Sequence, residues 1–475
     1  MTTKLSRNGY IIIKSDYTTK EIKEIKDDLT AKPYTMDDFS NGKEKKFNLY
    51  LESPKKLYVP RFYGSKRFGE PIINKIKEGE TININFKGGL RKEQEPIFDV
   101  SYKQIIDTGG GIVSLKCGGG KTILALYIMA QLKQKTLVVV HKDFLMTQWY
   151  DRIQEFIPDA KIGKIQQNTI DTEGKDVVLA MVQSLSMKEY PEDTFDSFGL
   201  VVFDECHHLG AEVFSKSMNK VASKYMLGLS ATPNRKDGLR KVFEWFIGDI
   251  AYMTKDTKDD GAIVNILKYY STDTEYSKIE NTFQGKVCFP KMINNICNYK
   301  PRTQLIITTL LPLYKEGRCI LILSDRRNHL LEIEIELKKY DIECGYYVGG
   351  MKSQALRDSQ EKNIILGTFS MASEGMDIPK LNTMILASPK SDIIQSVGRI
   401  LRQKKETREF TPLIIDINDE FSLFLNQSKK RLAYYNKCKY DINIYDQDGI
   451  HHKYEKKSRS RKKKTLNLDL DDCLL

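Results

Sequence analysis

At 475 residues the chain exceeds what one hydrophobic core usually supports, so two or three domains are expected. A 40% hydrophobic fraction, no apolar run near the roughly 20 residues that cross a bilayer and no secretory leader in Met1 to Arg7 exclude a membrane protein and imply a soluble, intracellular one, cytoplasmic or nuclear. Lys and Arg number 75 against 63 Asp and Glu, and the resulting +12 favours a polyanionic partner, with nucleic acid first. The eight cysteines form no CxxC pair, which argues against a zinc ribbon or a disulfide framework and for free thiols.

Residues 1–85 combine short β-rich pieces, Tyr10 to Ile13 and Leu57 to Val59, with an amphipathic helix expected over Thr19 to Leu29, where Ile22, Ile25 and Leu29 share one face. This is a small α+β accessory domain. From 86 to 255 short apolar runs alternate with helix-length segments: Ile112 to Leu115, Leu137 to Val140, Val177 to Ala180, Leu200 to Phe203 and Met226 to Leu229. Such runs predict a parallel α/β sheet buried on both faces. A second series over 256–430 repeats the pattern at Cys319 to Leu323, Ile364 to Leu366, Met384 to Ala387 and Leu413 to Ile415. Lys255 to Gly261 suits a linker. Residues 431–475 form an extension whose basic run, Lys456 to Lys464, is expected to be disordered, either as a solvated end or as a nucleic-acid tether or import signal.

The run Cys117-Gly118-Gly119-Gly120-Lys121-Thr122 stands between a strand and a helix. Glycines let backbone N–H groups wrap a phosphate, Lys121 reaches the β/γ oxygens and Thr122 ligates Mg2+, so this is a candidate ATP cradle. Asp204 and Glu205 follow a buried strand, where ligands bind in parallel sheets. Asp204 suits the metal and Glu205 the activation of water, although a helix cap is the plain alternative. Ser230 and Thr232, with His207, are candidates for coupling; a strand-ending turn is the bland reading of the first two. Three consecutive residues, Cys206, His207 and His208, cannot converge on one zinc.

Phosphoryl transfer needs positive charge at the leaving phosphate, and Arg399 and Arg402, three apart after Gln395, are spaced as neighbours on one helical face. Ordinary surface arginines are the alternative. Gly375 and Asp377 follow another strand, and Asp377 is within plausible reach of the ribose or the arginines. Thr368 suits a backbone phosphate, and Gln94 suits an adenine-reading amide.

These strings, in order, resemble the superfamily 2 helicases: GGGKT, DECHH, SATP, ASEGMDIP and QSVGRILR over residues 86 to 430. Leu115 stands where the generic phosphate-loop pattern has Gly, a departure frequent in helicases. Within the superfamily the chain looks like the XPB/UvsW branch and the helicases of large nucleocytoplasmic DNA viruses, on Leu115 to Gly118, His141 to Trp149, Ile162 to Gln166 and Phe421 to Lys429. The resemblance implies two tandem RecA-like domains, use of ATP and Mg2+, and DNA tracking, 3'-to-5', in transcription, repair or recombination. It also implies a track for strand phosphates near Lys142, Gln148, Gly163 and Gln183 in one lobe and Ser324, Gly349, Gly350 and Thr368 in the other. A monomer and transcription or replication proteins as partners are expected. The Arg-Glu-Asp element of XPB is Arg235-Lys236-Asp237 here, with one charge reversed, and no XPB thumb is recognisable. A duplex translocase that does not unwind, an RNA helicase and an inactive nucleic-acid-binding scaffold are the alternatives.

Overall fold

A computed structural model of the chain describes residues 3–32, 46–116, 118–191, 193–206, 211–231, 240–254, 261–285, 287–403, 405, 407–447 and 449–454. The N-terminal segment forms a sheet in the order Leu51–Glu52, Lys56–Val59, Gly9–Ile13, Lys4–Ser6, Ile73–Asn74. Its helix Thr19–Asp28 starts in a capping box, with Thr18 and Glu21 satisfying each other's backbone N–H groups, and buries Ile25 against Leu29 and the sheet. This unit is fixed to the next one. Arg61 donates to the Lys224 carbonyl at 2.9 Å and the Thr108 carbonyl at 3.2 Å, and Tyr63 meets Trp245 edge-on at 5.3 Å.

The first large sheet runs Thr169–Asp171, Ile162–Gln166, Val177–Met181, Thr136–Val140, Leu200–Phe203, Tyr225–Ser230, Gly110–Ser114, Ile250–Met253. Every pairing is parallel except the one at the Thr169–Asp171 edge. The five apolar runs of this lobe all become strands, because Val, Ile and Leu facing both ways need helices on both faces. Lobe packing begins before residue 86: Ile82 and Ile84 belong to its core, and Lys135 N–H bonds the Glu80 carbonyl at 2.8 Å.

The second large sheet runs Gly345–Tyr347, Ile364–Thr368, Ile320–Ser324, Thr383–Leu386, Leu413–Asp419, Ile263–Tyr269, Asp441–Tyr445, His451–Lys453 and is parallel up to its last strand. The expected pair of RecA-like domains is therefore present, each with its own buried layers. The sheet continues past residue 430: the helix Phe424–Cys438 returns the chain so that Asp441–Tyr445 pairs with Ile263–Tyr269. The basic tail, the Lys255 to Asp260 part of the linker and the Arg235-Lys236-Asp237 element lie outside the described residues. Two ion pairs are buried in this lobe. Arg302 meets Asp419 through two bonds, at 2.7 and 2.9 Å, and Arg431 meets Asp416 at 2.9 Å. Among the described residues, Cys206, Cys288, Cys297, Cys319, Cys344 and Cys438 are free thiols, and no helix is long and apolar enough to cross a membrane.

Candidate functional site

Parallel pairing in register brings three strand ends together. Ser114 lies opposite Ser230, and Phe203 lies opposite Gly228, so the segments after 114, 203 and 230 emerge along one edge of the sheet. After the first comes the glycine loop. Gly118 and Gly120 have φ of 77° and 76°, left-handed values that favour glycine, and a Cβ on Gly120 would lie 2.5 Å from Gln94 Nε2 and 2.6 Å from the Arg91 guanidinium. The helix Lys121–Leu132 starts immediately behind, with Lys121 and Thr122 in its first turn.

Lys121 Nζ donates to Glu205 Oε1 at 2.7 Å, with both side chains largely buried. Glu205 itself has φ of 43°, a left-handed conformation that costs a residue with a Cβ roughly 1–3 kcal/mol. This turn sends its carboxylate back over the loop, where Oε2 also accepts from Ala231 N–H at 3.3 Å. Asp204 is buried, and its two oxygens accept from Trp149 Nε1 at 2.8 Å and from Glu205 N–H at 2.9 Å. Burial and the neighbouring Glu205 carboxylate push its pKa up to about 6, while Lys121 and the Trp149 bond pull the other way.

Gln94 is buried, but its amide is turned to the loop. Nε2 donates to the Gly120 carbonyl at 3.2 Å, and Oε1 accepts from Arg91 Nε at 3.2 Å. In this position the amide braces the cradle; reading adenine requires it to turn.

The second lobe meets the loop through Arg402. A Cβ on Gly118 would lie 3.8 Å from Arg402 Cγ, so the Arg402 side chain passes beside the glycine loop. Arg402 pairs with Asp377 and donates to the Met376 carbonyl at 2.7 Å. Asp377 in turn accepts from Arg152 of the first lobe at 2.8 Å. Arg399 differs from expectation. Its guanidinium is buried and donates to the carbonyls of Ala372 at 2.7 Å, Met376 at 2.9 Å and Ser373, closing the C-terminal end of the helix Phe369–Gly375. The helix carrying Gln395 is only Ile394–Val397, and i→i+3 turns follow it, so the two arginines do not share an α-helical face. Arg399 is buried as a cap, whereas Arg402 passes its stem beside the loop and holds its guanidinium on Asp377 and the Met376 carbonyl.

Of the expected track residues, Lys142 lies over Phe144 at 5.9 Å, Gln183 bonds the His141 carbonyl at 2.9 Å, and Thr368 meets Ser370 at 3.3 Å, all at strand ends. Gly350 is exposed, with φ of 84° and open space where a Cβ would stand, and the Gly349 carbonyl accepts from Arg327. Gln148 lies partly exposed on the helix Asp143–Phe156. Two residues depart. Ser324 is fully buried and its hydroxyl is engaged with His329 Nδ1 at 3.1 Å and Arg326 N–H at 3.1 Å, so it cannot meet a strand directly. Gly163 lies within a strand, where a Cβ would stand 2.1 Å from the Asp171 carbonyl oxygen, so close sheet packing demands glycine there. Cys117, His207, His208 and Thr232 lie outside the described residues.

Residues 87–235 match the family described as Type III restriction enzyme, res subunit, and residues 302–404 match the Helicase conserved C-terminal domain. The chain is 39% identical over 465 residues to a protein of Acanthamoeba polyphaga mimivirus named as a candidate ATP-dependent RNA helicase, covering 95% of this chain and 89% of that protein. A protein of African swine fever virus with the same kind of name is 27% identical over 74% of this chain and 72% of its own length. Among solved structures, a fragment of an HsdR subunit of a type I restriction enzyme from Vibrio vulnificus aligns with a TM-score of 0.52 at 17% identity, over 78% of this chain and 71% of that one. The chain is a superfamily 2 helicase. Enzymes of this family use ATP, typically with Mg2+.

The residues of this helicase suit that ion. Among the described residues, no cluster of three or more His, Cys, Asp or Glu could hold a metal alone, whereas one carboxylate and one hydroxyl beside a phosphate cradle match the way Mg2+ is shared between protein and nucleotide. Asp204 and Thr122 would be the residues to hold it. Sequence reasoning assigned no role to Trp149 or Arg152. A lone tryptophan on an amphipathic helix reads as core, and nothing in the chain's order signals that its N–H meets Asp204.

Proposed function

We propose that this helicase couples ATP hydrolysis to 3'-to-5' movement along DNA, using Lys121, Thr122, Asp204 and Glu205 of the first lobe and Arg402 of the second. The observation that carries the reading is Arg402 standing against Gly118, because a site built from both lobes links hydrolysis to their closure. When bound, ATP with Mg2+ supplies the phosphoanhydride bond and the cation that offsets its charge. Lys121 exchanges Glu205 for phosphate oxygens. Glu205, released from that ion pair, orients the attacking water and takes its proton. Asp204 and Thr122 hold the ion. Arg402 exchanges Asp377 for the leaving phosphate, where positive charge stabilises the in-line transition state.

Lys142, Gln148, Gln183, Gly349, Gly350 and Thr368 form the proposed track, which reads phosphates and so carries no sequence preference. DNA is favoured by the XPB/UvsW-like strings and by the restriction-enzyme family matched over residues 87–235. RNA is the second reading, favoured by the names of the mimivirus and African swine fever virus relatives. ATPase stimulation by single-stranded DNA, duplex DNA and RNA decides between them. Stimulation by DNA above RNA is expected, with a steep fall as salt rises. Stimulation by RNA alone overturns the DNA assignment, and turnover near zero under all conditions overturns the motor.

A further inference from the structure

The helix Asp143–Phe156 touches both halves of the site. Trp149 is 1% exposed and gives its indole N–H to Asp204 Oδ2. Glu205 N–H holds Oδ1, so two donors fix the plane of the carboxylate. Three residues on, and on the same side of the helix, Arg152 leaves the first lobe and bonds Asp377. Asp377 is also the carboxylate that pairs with Arg402. At the start of the helix, Phe144 packs against the cores of both lobes.

One rigid helix therefore connects the carboxylate assigned to the metal with the acid that restrains the arginine of the other lobe. The Arg152–Asp377 contact is partly exposed, about 40% on each side chain, so it adds little to stability and exchanges readily. Such a contact suits a switch. When Arg402 leaves Asp377, Arg152 becomes the principal cation beside that acid, and the pull falls on the helix that carries Trp149.

We propose that Trp149 and Arg152 are positioning residues of one coupling element. Trp149 fixes the Asp204 carboxylate, and Arg152 ties its helix to Asp377, so that the exchange of Arg402 between Asp377 and phosphate is transmitted to the metal-holding acid. The inference rests on the roles given above to Asp204 and Arg402, and it adds a physical route between them.

Trp149 and Trp245 are the two tryptophans of the sequence, so Trp245→Phe, which keeps an aromatic ring against Tyr63, leaves Trp149 as the sole tryptophan, excited at the red edge where tyrosine does not absorb. In that protein Mg2+·ADP is expected to change the emission, and a non-hydrolysable ATP analogue with Mg2+ and a single-stranded oligonucleotide to produce a second change as the lobes close. Adding Arg152→Ala should retain the first change and abolish the second, and Arg152→Lys should restore part of it, because lysine keeps the charge without the fork. By calorimetry, Trp149→Phe should raise the Mg2+ concentration needed for half-maximal ADP binding about threefold to tenfold, the scale of one lost hydrogen bond, with metal-free ADP bound as before. A second change that survives Arg152→Ala, or an unaltered Mg2+ requirement in Trp149→Phe, overturns the coupling alone. A Trp245→Phe protein that is folded by circular dichroism yet binds no nucleotide overturns the ATPase reading and this inference with it.

Discussion

Glu205→Gln is the most informative single change, because it separates two roles that the geometry gives to one carboxylate. Glu205 is proposed both to take a proton from water and to hold Lys121 at 2.7 Å while no phosphate competes. Removing a positioned general base costs roughly 10²- to 10⁴-fold in turnover. The effect on binding runs the other way. A hydrogen bond between charged partners contributes about 1.5–3 kcal/mol, and a neutral amide oxygen retains about half of that for Lys121. Lys121 is then released to phosphate about 0.7–1.5 kcal/mol more cheaply, which is roughly threefold to tenfold in affinity at 1.4 kcal/mol per decade. Single-turnover hydrolysis and equilibrium binding of a fluorescent ATP analogue measure the two quantities. The expected variant binds ATP more tightly and turns it over far more slowly. Turnover within tenfold of the parent would remove Glu205 as the base, and weaker binding would show that the Lys121–Glu205 pair does not compete with nucleotide.

Arg399 and Arg402 should separate in the same assays. Arg402→Ala is expected to lower turnover by about 10³-fold or more with little change in urea unfolding, whereas Arg399→Ala should cost roughly 2–4 kcal/mol of stability through its lost backbone bonds. Arg302→Met leaves Asp419 buried without its cation and should destabilise the second lobe by about 3–5 kcal/mol, read from urea denaturation. His329, enclosed by Ser324, Thr303 and the nearby Arg302, has its pKa pushed down to about 3 by burial first and the Arg302 charge second. A base depressed in the fold is charged more readily when unfolded, so stability falls as pH drops from about 6.5 toward 3, by about 2 kcal/mol at pH 5. Denaturation of His329→Gln across that range should show a flatter profile, and a slope equal to the parent's would exclude His329 as its source.

The central strands of both lobes were legible because each is a short, almost wholly apolar run, and only a sheet covered on both sides accepts such runs, whereas outer strands such as Ile162–Gln166 and Thr169–Asp171 carry polar residues and were not. Ile263–Tyr269 and Asp441–Tyr445 escaped because Asn265, Lys268, Asn443 and the flanking charges break their apolar continuity, and the pairing of these strands depends on a helix that brings distant segments together. The candidate site was legible where chemistry is local: Lys121 and Thr122 follow glycines, and Asp204 and Glu205 follow a strand. It was not legible where one side chain could serve two ends. Arg399 and Arg402 sit at a spacing that an unbroken helix would place on one face, but the helix stops at Val397 and the tighter turns that follow bury one guanidinium on the carbonyls of Ala372, Ser373 and Met376 and carry the other to Asp377 and the Met376 carbonyl, with its stem beside Gly118. Ser324 and His329 are five apart and satisfy each other in the interior, which no hydroxyl reveals from its neighbours in the chain. Trp149 marks the limit most clearly. Its value to the site lies in the direction of one N–H, and that direction is set by how the helix Asp143–Phe156 packs on the strands Val177–Met181 and Thr136–Val140, a tertiary fact that becomes visible only once these elements are in place.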